Sequence, residues 1–444
     1  MSFAPSRRAP LNFDVLLLIF RQSTEWSDRE KRACLTSAAR VCRIWHAAAA
    51  EVLWDDVKLT DAFNSANLQS FSFGQSREEI KSFAAASKRA AIAARTRTLT
   101  LARIGTATFA DIGAIKTPNL RSITLLLERS AGPISLDVIA VLFEKTPLLV
   151  AFAFAGGMRY PSPRPFSADI AGGFWKSAHG RAVDAAIARL NKLAICVTGE
   201  TAEARAIESR IIQTAAGKLK DLTAKGDLAG VLTRAHGLCS LAVRGRTAEL
   251  PLLTAKLPAL RSASFVDAGY SGYNPFLVAN VKSILSIAPS LSSFTLSFCT
   301  IPSAPLFTAL AQHQPLNYLS LANTIGLDAD HLATYLVARG VKLRTLMVDH
   351  CRWVGEPLLR ELPALAPALT TLALGANDAR GPFISLHVVD ALLCKHPALE
   401  RVWVADAALA RALGTRRKPI VGNLERERRF DAVGDVGLGR VPYL

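Results

Sequence analysis

The sequence predicts an α/β fold: a solenoid with parallel strands inside and helices outside, preceded by a small three-helix module. Three observations predict it. The pattern apolar, two variable residues, apolar, one variable residue, apolar recurs about a dozen times, most clearly as Leu291-Phe294-Leu296, Leu316-Leu319-Leu321, Leu343-Leu346-Val348 and Leu369-Leu372-Leu374. These copies start roughly 25 to 27 residues apart, the length of one strand plus one helix. Half of the 444 residues are apolar and 20% are charged, a composition that supports a long shared core and argues against disorder.

The head is assigned to residues 8–60. Leu11 to Phe20 reads LNFDVLLLIF. Asn12 is placed to cap a helix, and Asp14 falls in its first turn, where a carboxylate suits the helix dipole. Leu16, Ile19 and Phe20 recur at helical spacing. Ser27 and Glu30 form a capping box ahead of a second helical stretch, in which Leu35, Ala38, Val41, Trp45, Ala49 and Leu53 keep the period. Val57 and Leu59 then alternate as a short strand. So short a unit buries little surface alone, so it is expected to lean on a neighbour or a partner.

Leu11-x-x-Asp14-Val15-Leu16-Leu17-x-Ile19-Phe20, then Val41-Cys42-Arg43-x-Trp45, then Leu53-Trp54 resembles an F-box in order and spacing. The resemblance implies a three-helix module that docks on the Skp-family adaptor of a cullin–RING (SCF-type) ubiquitin ligase. It implies adaptor contacts at Leu11, Asp14, Val15, Leu16, Ile19, Phe20, Val41, Cys42, Trp45, Leu53 and Trp54. The chain departs from the family at Asn12 and Phe13, where most members carry proline. The residues alone leave a plain helical cap open, since every array must cover its terminal apolar faces. A cap does not require the Val-Cys-Arg-x-Trp string.

Residues 61–95 are read as a linker, helical from Arg77 to Arg95. The array is assigned to 96–414, with units starting near Thr96, Leu120, Leu149, Leu190, Leu219, Leu238, Leu260, Leu291, Leu316, Leu343, Leu369 and Leu399. The ninth position of four successive units is Cys299, Thr324, Cys351 and Asn377. Asn or Cys there resembles the leucine-rich repeat, where that side chain bonds open backbone groups after the strand. Helical periodicity follows in Phe276–Ile287, Leu306–Ala311, Asp330–Ala338 and Leu386–Cys394, each stopped by Pro or Gly (Pro289, Pro315, Gly340, Pro397). The Pro- and Gly-rich stretch 156–180 is expected to be an irregular loop. Residues 415–444 are expected to be a basic tail, with a strand at Val436–Leu444 as an option.

The formal net charge is +17. Charge alone warrants only a statement about non-specific association, so nucleic acid is not the expected partner. The seven cysteines are far apart and form no C-x-x-C pair, which reads as reduced thiols rather than a metal site or disulfide framework. The early apolar run Val15–Phe20 is too short to span a membrane. No phosphate loop, dinucleotide fingerprint or H-E-x-x-H motif occurs, and the eight histidines do not pair with carboxylates at useful sequence spacing. A non-catalytic protein without cofactor is therefore expected, cytoplasmic or nuclear.

Residues between the inner leucines alternate to the open face of each strand. Target contacts are expected at Tyr318, Met347, Asp349, Arg401 and Trp403, with a shallow depression at Thr371 and Ala373. What the resemblance implies is a substrate receptor: residues 8–60 hold the ligase and the array holds an unknown target protein. The alternatives are a leucine-rich-repeat scaffold whose F-box-like head is only a cap, and a nucleic-acid-binding solenoid.

Overall fold

The computed structural model describes residues 16, 17, 20, 34, 35, 37–41, 45, 48, 49, 51, 52, 55–59, 94–106, 109–128, 131–162, 165–197, 201–224, 228–244, 256–266, 275–348, 351, 353–374, 384–404 and 421–423. These fall into two units, Met1–Ala186 and Ile187–Leu444.

The first unit begins with helical head residues and continues through β1 (Asp56–Leu59), β2 (Thr98–Ile104), α1 (Phe109–Gly113), β3 (Ser122–Leu127), β4 (Ile134–Ser135), α2 (Leu136–Glu144), β5 (Ala151–Gly156), β6 (Met158–Arg159), α3 (Ala168–Lys176) and α4 (Ala178–Ile187). β1, β2, β3 and β5 form a parallel sheet in that order, and β4 pairs with β6. Period-two alternation sends Leu99 and Leu101 of β2 inward, fully buried. The inward residues of β5 include Phe152, which meets Phe143 of α2 edge to face at 5.1 Å.

The stretch 156–180 is not an irregular loop: it carries β6, α3 and the start of α4. Ser167 caps α3, its hydroxyl accepting the Ile170 N–H at 3.3 Å. Phe174 and Trp175 then close on Tyr160, and the Trp175 indole N–H donates to the Tyr160 hydroxyl at 3.1 Å. Pro161 and Pro165 stand between the elements, so they break none of them.

The second unit runs β7 (Lys192–Val197), α5 (Ala202–Ala215), β8 (Asp221–Ala224), α6 (Ala229–Leu232), β9 (Ser240–Arg244), β10 (Ser262–Val266), α7 (Pro275–Ile287), β11 (Ser293–Ser297), α8 (Ser303–Gln312), β12 (Tyr318–Ser320), α9 (Ala329–Arg339), β13 (Thr345–Val348), α10 (Glu356–Leu365), β14 (Thr371–Leu374), α11 (Leu386–Lys395), β15 (Arg401–Val404) and β16 (Val421–Asn423). Its strands pair in parallel, each with the next in chain order. Across both units, every expected unit start from Thr96 to Leu399 stands two residues ahead of a strand. β16 lies inside the stretch expected to be a tail and pairs with β15. The alternative strand at Val436–Leu444 and most of the 61–95 linker lie outside the described residues.

One proline-containing turn recurs ahead of the strands. Thr117-Pro-Asn-Leu120, Leu257-Pro-Ala-Leu260, Ala288-Pro-Ser-Leu291, Ala366-Pro-Ala-Leu369 and His396-Pro-Ala-Leu399 each close on a hydrogen bond from the Leu N–H to the first residue's carbonyl, 3.0 to 3.1 Å long. Proline suits the second position of such a turn because its φ is already set and its missing N–H is not needed. The first residue of the turn is buried throughout, which the sequence reading did not identify as a core position. In two of the later repeats the corresponding residue is a histidine, His313 or His396. A backbone carbonyl can only accept, so the Nε2–H of His396 donates to Ala366 O at 2.9 Å, and that of His313 to Ala288 O at 3.0 Å. Among the described residues, no helix is long and apolar enough to cross a membrane.

Candidate functional site

In the head, Leu16, Phe20, Leu35, Ala38, Ala48, Ala49 and Val52 form one buried cluster, with Leu17, Ala39 and Trp45 packed against it. Phe20 and Trp45 meet edge to face, ring centres 5.9 Å apart. Leu16 and Phe20 were expected to contact an adaptor, but they are 1% and 5% exposed and turn into the module's own core. Helical period marks an apolar face without saying whether that face is core or docking surface, which is why the sequence did not separate the two. Val41, by contrast, is 63% exposed. Leu11, Asp14, Val15, Ile19, Cys42, Leu53 and Trp54 lie outside the described residues.

The head joins the array through β1. The Arg97 N–H donates to Asp55 O at 3.1 Å, the Arg97 guanidinium lies 3.6 Å from the Asp55 carboxylate, and Arg95 lies 3.1 Å from Glu51.

On the open face of the second unit's sheet, parallel register sets one residue from each strand in a row. From β9 to β12 that row is Ala242, Ser264, Thr295 and Ser320, all small. It then reads Met347, Ala373 and Trp403. Met347 and Trp403 close over Ala373, which is fully buried, so the depression expected there is filled by its neighbours. The Tyr318 hydroxyl donates to Met347 Sδ at 2.8 Å, which fixes the thioether beside the patch. The parallel row two residues earlier is Tyr318, Thr345, Thr371 and Arg401, with Arg401 exposed. Four of the five expected target residues thus stand around one apolar patch, and Asp349 lies outside the described residues. Repeat alignment alone placed these side chains on one face; Ala373 was misjudged because its cover comes from neighbouring strands.

At the far end of the strands the ninth-position residues perform the backbone role expected of them. The Cys351 thiol donates to Leu321 O at 2.8 Å, one repeat back, and the Thr324 hydroxyl donates to the same carbonyl at 2.7 Å. Cys299 lies 3.7 Å from Phe265 O, also one repeat back. Asn377 lies outside the described residues.

Two histidines do meet carboxylates, contrary to the reading by sequence spacing. His331 Nδ1 lies 2.7 Å from Asp328, the residue capping α9. His179 Nδ1 lies 3.3 Å from Asp137, brought from far along the chain to a cleft in the first unit. Ser177 lines the same cleft, but its hydroxyl caps α4 by accepting the Gly180 N–H at 3.0 Å. Among the described residues, no three His, Cys, Asp or Glu side chains are gathered in a way that could hold a metal ion.

No family model matches the chain, and no curated protein matches it by sequence. Among solved structures, it is similar to a chain in the crystal structure of the Rad7 and Elc1 complex in yeast, at 14% identity and a TM-score of 0.50. That likeness covers 91% of this chain and 99% of the other. The leucine-rich repeat-containing protein LegL7 from Legionella pneumophila is matched at 14% identity over 71% of this chain and 85% of its own, with a TM-score of 0.33. Stacked strand–turn–helix units, inner leucines and backbone-bonding Cys and Thr after the strands define the fold as a leucine-rich-repeat solenoid.

Proposed function

We propose that this chain is the target-recognition subunit of a cullin–RING ubiquitin ligase. The head would bind a Skp-family adaptor, and the open sheet face would bind the protein to be modified. The observation that carries this reading is the F-box string Val41-Cys42-Arg43-x-Trp45, borne on a helical head in which Trp45 packs inward and Val41 faces solvent. The likeness over most of the chain to a protein crystallised in a two-protein complex is consistent with it. Tyr318, Met347 and Trp403 would provide the aromatic and thioether contacts that dominate binding energy at interfaces, with Arg401 at their rim. The chain itself would carry out no chemistry. It would raise the target's effective concentration beside a loaded enzyme held by other subunits.

One observation favours a second reading, a scaffold with a helical cap: β1 pairs in register with β2, so the head already covers an edge of the sheet. Co-expression of the full chain with a Skp-family adaptor separates the two. The receptor reading expects the adaptor to co-elute with the wild-type chain and to be lost with Val41→Asp, which leaves the buried head cluster untouched. A wild-type chain that is monodisperse and never retains the adaptor supports the cap. Target capture would be read separately, by comparing proteins held by the wild type with those held by Trp403→Ala.

A further inference from the structure

Charge is distributed unevenly over the turns that lead into the strands of the second unit. The four turns entering β7, β8, β9 and β10 (188–191, 216–220, 233–239 and 256–261) hold Arg189, Lys218, Lys220, Arg234, Lys256 and Arg261. All six are exposed, and these turns contain no Asp or Glu. The next two turns, 288–292 and 313–317, contain no Lys, Arg, Asp or Glu. Backbone hydrogen bonds hold the first group in line: the Lys220 N–H donates to Asn191 O at 2.8 Å, Cys239 N–H to Lys220 O at 2.7 Å, and Arg261 N–H to Cys239 O at 2.8 Å. Successive turns therefore follow the strand spacing of ~4.8 Å, and four of them span about 15 Å.

The ordinary reason for a cation at such a place is the negative end of a helix. That reason would act equally after α7, α8 and α10, yet the turns 288–292, 313–317 and 366–370 that follow those helices have no cation, and of the later turns only 340–344, with Lys342 and Arg344, carries any. Nor are the six cations neutralised locally, since none has an ion-pair partner among the described residues. Six unpaired like charges on one short edge repel one another, and an anionic ligand relieves that repulsion.

We propose that this edge binds an acidic polypeptide segment, rich in Asp and Glu and held extended. An extended chain presents side chains on one side every ~6.6 Å, so two or three carboxylates fall within the stripe. Nucleic acid fits less well. The four turns contain no Phe, Tyr or Trp on which a base could stack. By their distance from the strand starts the cations fall in pairs, Lys220 and Arg261 one residue ahead, Arg189 and Lys218 three ahead, and Arg234 and Lys256 six ahead, so no single register marks out the two rows of phosphates of a duplex. The inference does not depend on the ligase reading and is tested without any adaptor.

The test is fluorescence anisotropy of the full chain with fluorescein-labelled poly-glutamate, beside oligothymidine and duplex DNA of similar charge. The variants are Lys218→Glu combined with Lys220→Glu, and Lys282→Glu combined with Lys395→Glu as a control of equal charge change at exposed positions of α7 and α11. Poly-glutamate is expected to bind the wild type, to lose affinity about tenfold in the double variant and to change less than about twofold in the control. Thermal melts establish that the variants are folded, and Arg261→Glu replaces the double variant if the latter melts early. The proposal is overturned if poly-glutamate does not bind, or if the folded stripe variant binds it as the wild type does. It is equally overturned if the control loses as much, or if either nucleic acid binds more tightly and is lost through the same substitutions.

Discussion

Phe20 and Trp45 meet edge to face with ring centres 5.9 Å apart, joining the two helical stretches of the head. The pair belongs to a cluster that includes Leu16, Leu35, Ala38 and Val52 and gives this short module its core. Trp45→Ala removes the larger ring and leaves Phe20 facing a void. The expected cost is roughly 3 kcal/mol, the low end for a large aromatic because Trp45 is only partly buried. Limited proteolysis of the full chain should then cut the head faster, while Trp45→Phe should restore most of the protection. Equal cutting of the wild type and Trp45→Ala would show that the ring is not a structural member.

His396 is buried at the first position of the turn before β15, and its Nε2–H donates to the Ala366 carbonyl one repeat back. His396→Ala deletes a buried ring and one inter-repeat hydrogen bond, with an expected loss of about 2 to 3 kcal/mol. His396→Gln keeps a donor at similar reach and should recover about half of it. Urea denaturation read by circular dichroism measures both. A glutamine variant no better than alanine would assign the whole effect to packing.

Much of this fold is legible in the sequence because a strand buried on one face repeats its inner residue at a fixed offset. Leu291, Leu316, Leu343 and Leu369 all stand two residues ahead of a strand and are fully buried. Cys351 and Thr324 were also recognisable, since their role depends on a backbone carbonyl that every repeat provides. What escaped the sequence depends on residues far apart in the chain. The helix at Ala168–Lys176 is held by Tyr160 meeting Phe174 and Trp175, which a count of prolines does not reveal. Ala373 looks like the floor of a depression until Met347 and Trp403 are seen closing over it from adjacent strands. For the same reason Leu16 and Phe20 were assigned to a partner when the head itself buries them.

Gly340 and Gly217 both follow a helix and stand near the turn into the next strand, yet substitution should affect them differently. A Cβ on Gly340 would overlap the Leu365 carbonyl oxygen of the neighbouring repeat, whereas one on Gly217 meets nothing within 4 Å. Gly340→Ala therefore forces two repeats apart and should cost about 1 to 3 kcal/mol. Gly217→Ala should instead stabilise by about 0.4 to 1 kcal/mol, because it narrows the unfolded chain's freedom without adding strain. Thermal melts of the two variants should move in opposite directions, and a shared loss would refute the close-packing explanation.

Glu356 opens α10 and ties it to the next repeat: its Oε1 accepts the Ser385 N–H at 3.1 Å, and its Oε2 lies 3.2 Å from the Arg360 guanidinium. Hydrogen bonds from Ser385, with Arg360 adding to them, hold the carboxyl below its ordinary value of 4.5. A carboxyl depressed in the folded state contributes stability above its unfolded value and loses it as pH falls through the folded one. The charge-dependent advantage of the wild type over Glu356→Gln should therefore be constant above about pH 5 and shrink through the acid range below about pH 4.5. Glutamine keeps an acceptor for the Ser385 N–H, so the comparison isolates the charge. Urea midpoints of both proteins across this range should converge on the acid side; a gap that stays parallel at every pH would mean that ionised Glu356 contributes nothing to the join between these repeats.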